Sequence, residues 1–384
     1  MKIKFVILGV LLIFIAPIFN TNVVYADNLS DTIGEQIENI DFSELENFFN
    51  SVTYLPENVN FHDCLFNMLN GNFQINFDNI SGYLTNTLFS GIKKYLPTFI
   101  SIIAIALFCA IIQKFKSSFI ENEIANLITT VCLLSIILLL TSEIISIWEN
   151  VKNTIQSIAK LNDIMSPIIL TLMVGAGGNV SASVYNPTVS FLSNGVIHIF
   201  LSVVIPLVGI MIMFSVINEF SSTVKLEKFN EVCSSIIKWI IGIVVSIFTI
   251  FLSVQGLTSA TFDGISIKAT KYAISNSIPI IGGFIKDGFD LIIAGSVVIK
   301  SVVGIVGVFA LFYTIISPVL CIMFFSILLK LTSAIISPIS DNKITNFLSA
   351  TAKHITYLSA TLIAVGFMFF IMILLITISA TAFF

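Results

Sequence analysis

The chain has 384 residues, with three histidines, five cysteines and 22 carboxylates, and these reactive groups are scattered along it. His62, His198 and His354 stand far apart. There is no H-E-x-x-H pair to hold zinc, no G-x-S-x-G elbow for a serine nucleophile and no G-x-G-D aspartate. Cys64, Cys109, Cys132, Cys233 and Cys321 include no C-x-x-C spacing, so a zinc or redox centre has no support. They read as small apolar packing residues. The run VGAGGN at residues 174–179 is glycine-rich but lacks the lysine and hydroxyl of a phosphate loop. All 18 basic residues are lysines, which removes the bidentate arginine clamp on phosphate. The sequence thus predicts no enzyme, no cofactor and no metal site.

Other polar residues sit inside apolar runs, where burying a charge in lipid costs a few kcal/mol or more. Glu143 either lines a path or pairs with a charge, or it lies near the outer end of its helix. Lys300 is expected to snorkel to the interface. Asn194 and Gln255 are expected to bond between helices, and Gly288, Gly295, Gly304 and Gly307 to permit close helix packing. The longest polar interruption is GLTSATFDGISIKATKYAISNSIPIIGG, residues 256–283, which lies between two apolar runs. It carries Asp263, Lys268, Lys271, Asn276, Pro279 and Gly282. A turn between spans needs only a few residues, so the excess predicts a re-entrant or surface-lying segment. Pro279 and the Gly282–Gly283 pair would turn it back. Lys268 and Lys271, three apart on one helical face, are placed to meet an acidic partner or lipid headgroups. An amphipathic helix lying in the interface, with no part in transport, is the plainer reading.

The elements that position these residues are membrane spans. The chain is 56% hydrophobic and only 10% charged, against about 25% charged in an ordinary soluble domain. Several windows exceed the roughly 20 apolar residues that cross a bilayer. Residues 1–26 have the anatomy of a cleaved signal peptide: Lys2 and Lys4, an apolar core, and Val24-Tyr25-Ala26 at the cleavage site. Residues 27–95 form an acidic exported region with helical spacing of apolar residues. The stretch 27–92 holds ten carboxylates and no lysine. Residues 96–384 form the polytopic domain, whose mildly basic balance does not suit nucleic acid.

Spans are expected at residues 96–112, 127–148, 191–217 (kinked by Pro206), near 240–255, within 291–336 and at 354–380. The stretch 164–189 reads as re-entrant, or as a short span plus a loop. The stretch 291–336 reads as one long kinked span or a hairpin. The fold class is all-α, with six to eight crossings and one or two re-entrant or interfacial segments. The signal peptide and the lysines near residues 225–238 place the first span running outside to inside.

The run from Gly256 to Gly307 resembles the most distinctive segment of the stage III sporulation protein AE family of endospore formers. The shared order is Gly256-Leu257-Thr258-Ser259, Asp263-Gly264, the lysines Lys268 and Lys271, Asn276 with Pro279 and Gly282, then a Gly- and Val-rich span. The resemblance covers essentially the whole chain and is strongest from about residue 161. It implies a permease-like or structural subunit of the trans-envelope channel apparatus that links mother cell and forespore. It also implies location in the mother-cell membrane around the forespore, the outer forespore membrane. The implied partners are the other stage III sporulation A membrane proteins, the ring-forming forespore channel components and membrane lipids, with no nucleic acid. Glu143, Asp263, Lys268, Lys271, Asn276, Pro279 and Gly282 are the candidate conduit or partner-contact positions. A stand-alone small-solute transporter is the alternative; it predicts inverted repeats and paired broken helices near Gly175 and Gly282. An intramembrane hydrolase lacks its motifs.

Overall fold

The computed structural model describes residues 40–51, 77–115, 122–220, 226–277, 282–339 and 342–379. The expected signal peptide lies outside them. The described residues are helical, with no strand among them.

A short helix, α1 (Ser43–Ser51), begins where Asp41 Oδ1 accepts the Ser43 N–H at 2.9 Å. Its Leu45, Phe48 and Phe49 are buried against the third helix, so the apolar stripe of this segment is a packing surface. Next come α2 (Phe77–Phe115) and α3 (Asn122–Gly175), with Pro97 and Pro167 inside them. They are followed by α4 (Asn179–Ile199), a π-helical turn at Phe200–Val204, and α5 (Ile205–Phe220). The chain ends in α6 (Glu227–Ser277), α7 (Gly282–Ile336) and α8 (Asn342–Ile378). Six helical stretches are long and apolar enough to cross a membrane, with α4 and α5 counting as one.

Two expectations change. The stretch 164–189 is not a re-entrant loop. α3 runs unbroken to Gly175, and the chain reverses within Ala176–Gly178. Gly177 supplies the left-handed residue (φ +83°), while the Gly178 N–H closes on Met173 O at 2.8 Å and the Gly177 N–H on Val174 O at 2.9 Å. The stretch 256–277 is not a turn or re-entrant segment either; it continues α6 as helix. An α-helix satisfies its backbone groups internally whatever its side chains are, so polar composition alone does not break it. Of the two readings of residues 291–336 the single long span holds, since they lie in one helix with Pro318 inside it. The kink expected at Pro206 appears as the π turn just before it. Pro206 has no N–H to donate, and the Ile205 N–H reaches back five residues to Phe200 O.

α7 and α8 form the centre and run antiparallel, with Ser333 Oγ on Thr345 O (2.9 Å) and Ser326 Oγ on Ala352 O (2.8 Å). Gly304 meets Thr377 and Gly307 meets Met165, so these two glycines do permit close approach; Gly288 faces open space. α2 runs parallel to α7, with Tyr83 on Tyr313 at 5.3 Å and Tyr95 on Phe325 at 5.0 Å between ring centroids. α6 lies at the periphery, with Val232, Ile236, Trp239, Ile243, Ile247 and Ile250 exposed along one stripe. A helix of 51 residues is about 75 Å long, more than twice a hydrocarbon core of about 30 Å. The long helices therefore extend well beyond the bilayer or cross it obliquely.

Candidate functional site

Polar side chains from α4, α6, α7 and the residue after α8 come together near one end of the bundle. Its first member is Asp263, on the polar half of α6 and fully buried. Its carboxylate accepts the N–H of Val180 at 2.8 Å and of Ser181 at 3.0 Å. Those donors belong to the first turn of α4, where Gly178 offers no side-chain cap. Asp263 thus caps a helix from a different element, placing a carboxylate at the positive end of the α4 dipole.

Lys300 is the second member. It is fully buried in α7 and donates to the backbone carbonyl of Ser379. Asp263 is close enough for the two charges to interact. The expected snorkelling of Lys300 is therefore wrong: the side chain points into the bundle, where the Ser379 carbonyl receives it. Ser379, just past α8, lies 3.1 Å from the Tyr185 hydroxyl of α4. Gly256 leaves room for that tyrosine, and Gly175, at the end of α3, leaves room for Ser296 of α7. The cluster thus ties α3, α4, α6, α7 and the end of α8 at one level. It holds no nucleophile beside a base, and among the described residues no group of His, Cys, Asp or Glu is arranged to hold a metal. Such an arrangement can lock helix ends against one another while keeping two opposite charges out of lipid.

The other sequence candidates are distributed around it. Lys268 is exposed on α6, whereas Lys271 pairs with Asp290 of α7 at 2.7 Å. Asn276 lies in the last turn of α6 and Gly282 opens α7, while Pro279 lies outside the described residues. Glu143 is remote from the cluster. It accepts the Thr98 hydroxyl at 3.0 Å where α2 meets α3, next to a Lys94–Ser146 contact of 3.3 Å. Gln255 bonds between helices as expected, to Val184 O (2.7 Å) and Thr188 Oγ1 (2.8 Å) of α4. Asn194 does not; it donates to Ser190 O in its own helix at 2.8 Å. Sequence reasoning missed Tyr185, Ser296 and Ser379. One signal for Lys300 was available, since Lys300, Gly304 and Gly307 fall on one helical face, and that face packs inward.

At the opposite end, a cavity of about 460 Å³ opens between α5, α6, α7 and α8. Glu219, Glu227, Lys330 and Lys353 line it, with His354 Nε2 2.9 Å from Ser215 Oγ alongside.

Comparison with known proteins agrees with the resemblance seen in the sequence. The family model described as stage III sporulation protein AE matches residues 59–380. Stage III sporulation protein AE of Bacillus subtilis (strain 168) is 26% identical over 271 residues, covering 71% of this chain and 68% of the relative. No solved structure matches.

Proposed function

The chain belongs to the stage III sporulation protein AE family, and from that premise we propose that it is a permease-like or structural membrane subunit of the channel apparatus joining mother cell and forespore. It would sit in the mother-cell membrane around the forespore, with the Asp263–Lys300 end facing the space between the two forespore membranes. Its partners would be the other stage III sporulation A membrane proteins and the ring-forming forespore components.

The observation that carries this reading is the matched family together with the six-span bundle. The buried cluster adds a mechanical argument. A bundle whose helix ends are tied by Asp263, Lys300 and Tyr185 is a stiff base on which other subunits can assemble. In this role Asp263 works as an internal clamp and does not line a conduit, because it is fully buried. Lys268 is the exposed candidate for partner contact. A stand-alone transporter would use paired interrupted helices. Here the interruption near Gly175 is a turn between two helices, and the polar half of α6 is unbroken to Ser277.

Deleting the gene in the endospore former that encodes it should stop development after engulfment. Crosslinking in sporulating cells should recover other stage III A membrane proteins with the full chain. Normal spores from the deletion strain, or solute uptake by the purified protein alone in liposomes, would overturn the subunit reading.

A further inference from the structure

α3 and α4 form an antiparallel hairpin that carries an exposed polar face at the depth of the lipid-facing stripe of α6. On α3 the exposed positions include Lys152, Gln156 and Lys160; on α4 they include Ser190, Asn194 and His198. Each set recurs every fourth residue. The two helices touch where Asn162 Nδ2 donates to Ser193 Oγ at 3.3 Å. From that contact, at about 100° per residue, the α3 set lies about 80° to 160° round its helix. The α4 set lies about 60° to 140° round. Because the helices are antiparallel, both arcs open to the same side, so the two rows make one continuous face. Phe191 interrupts it.

The depth follows from contacts on the other side of α4. Gln255 of α6 bonds Thr188 of α4, and these helices are also antiparallel. Residue 249 of α6 is therefore level with Asn194, and residue 245 with His198. At that level α6 exposes Ile243, Ile247 and Ile250. Its exposed apolar stripe runs from Phe229 to Val254, a rise of about 38 Å, enough to cross a bilayer core of about 30 Å. One slab of the molecule is thus apolar on the α6 side and polar on the α3–α4 side. Lipid suits the first and not the second, since lysine in hydrocarbon costs a few kcal/mol.

We infer that the α3–α4 face is the wall of a water-filled path at bilayer depth, open to small hydrophilic solutes. Lys152 and Lys160 are offset by exposed Glu149 and Asp163 on the same helix, so the wall favours neither sign of charge strongly. Calling this path the conduit of the sporulation apparatus rests on the channel reading above. The wetting of the face does not, and wetting is what the experiment reads.

The test uses the full chain, its native cysteines replaced by alanine, reconstituted in phosphatidylethanolamine–phosphatidylglycerol vesicles. Spin labels go on Gln156→Cys, Asn194→Cys, Ile247→Cys and Ile250→Cys in turn. Collision with a water-soluble nickel chelate should be several-fold more frequent at the first two positions, and collision with oxygen more frequent at the last two. Three outcomes overturn the inference. Nickel access at all four would mean that the slab stands outside the bilayer. Oxygen access at all four would mean that lipid covers the polar face. Access to neither probe at residues 156 and 194 would mean that protein covers it. If the alanine chain does not fold, hydroxyl-radical labelling of the unaltered protein in the same vesicles replaces it. His198 should then be modified well ahead of the exposed, more reactive Trp239, and the reverse order would overturn the inference.

Discussion

At the scale of residues, Asp263 and Lys300 differ in how much each depends on the other. Asp263 holds two backbone N–H groups and a helix terminus, with the lysine charge nearby. Lys300 has the Ser379 carbonyl and the nearby carboxylate. Removing one of two neighbouring buried opposite charges leaves the other less compensated. Asp263→Asn should therefore lower the melting temperature of the purified protein in detergent more than Lys300→Met does. Lys300→Met should also cost less in the Asp263→Asn background than in the unaltered chain, with a coupling of about 0.5–3 kcal/mol. Strict additivity in that double-mutant cycle would show that the two charges do not support each other.

Elements are held by shape as well as by polar contacts. A Cβ on Gly304 would press on Thr377, a β-branched side chain stiff about χ1, with even its Cβ at 2.9 Å. A Cβ on Gly307 would meet the flexible end of Met165, which can move aside. Gly304→Ala should thus destabilise by about 1–3 kcal/mol, and Gly307→Ala by clearly less. Equal losses in thermal melting would count against the view that α8 is seated on α7 at Gly304. Gly177 is constrained in a different way. Its positive φ and the approach of Ile267 at 2.8 Å to a Cβ there fix the reversal between α3 and α4, and that reversal aligns the two rows of the polar face.

For the molecule as a whole, six crossings fix a parity. The α3–α4 reversal, the end of α6, the start of α7 and the end of α8 share one side. The end of α2 and start of α3, the end of α5 and start of α6, and the end of α7 and start of α8 share the other. Lys114, Lys116, Lys225, Lys228 and Lys343 lie at that second set and Lys93, Lys94, Lys268, Lys271 and Lys286 at the first, so the lysines do not separate the two sides; the signal peptide expected at residues 1–26 would make the second set cytoplasmic. Single cysteines at Ser266 and Lys228, both exposed on α6, sit toward opposite ends of that helix. With the chain expressed in vegetative cells, a membrane-impermeant thiol reagent should label Ser266→Cys in intact protoplasts and Lys228→Cys only after permeabilisation. The opposite pattern would invert the molecule and move the Asp263–Lys300 cluster to the cytoplasmic end.

The sequence by itself determined the class of the protein and much of its plan. Long apolar runs required membrane helices, because only internally bonded backbone survives in lipid. Gly304 and Gly307 marked close packing, Gln255 an interhelical bond, and residues 256–307 the family. The sequence misjudged what depends on distant partners. Residues 256–277 look like a break, yet they continue α6, where Asp263 is held by Val180 and Ser181, some 80 residues away. Lys300 looks like a snorkelling residue, yet its carbonyl partner comes from 79 residues later. The polar rows on α3 and α4 were each legible as four-residue spacing. That they form one face was decided only by the Asn162–Ser193 contact and the Gly177 reversal. Periodicity fixes which residues share a side of one helix, but the angle between two helices is set by the side chains that meet across them.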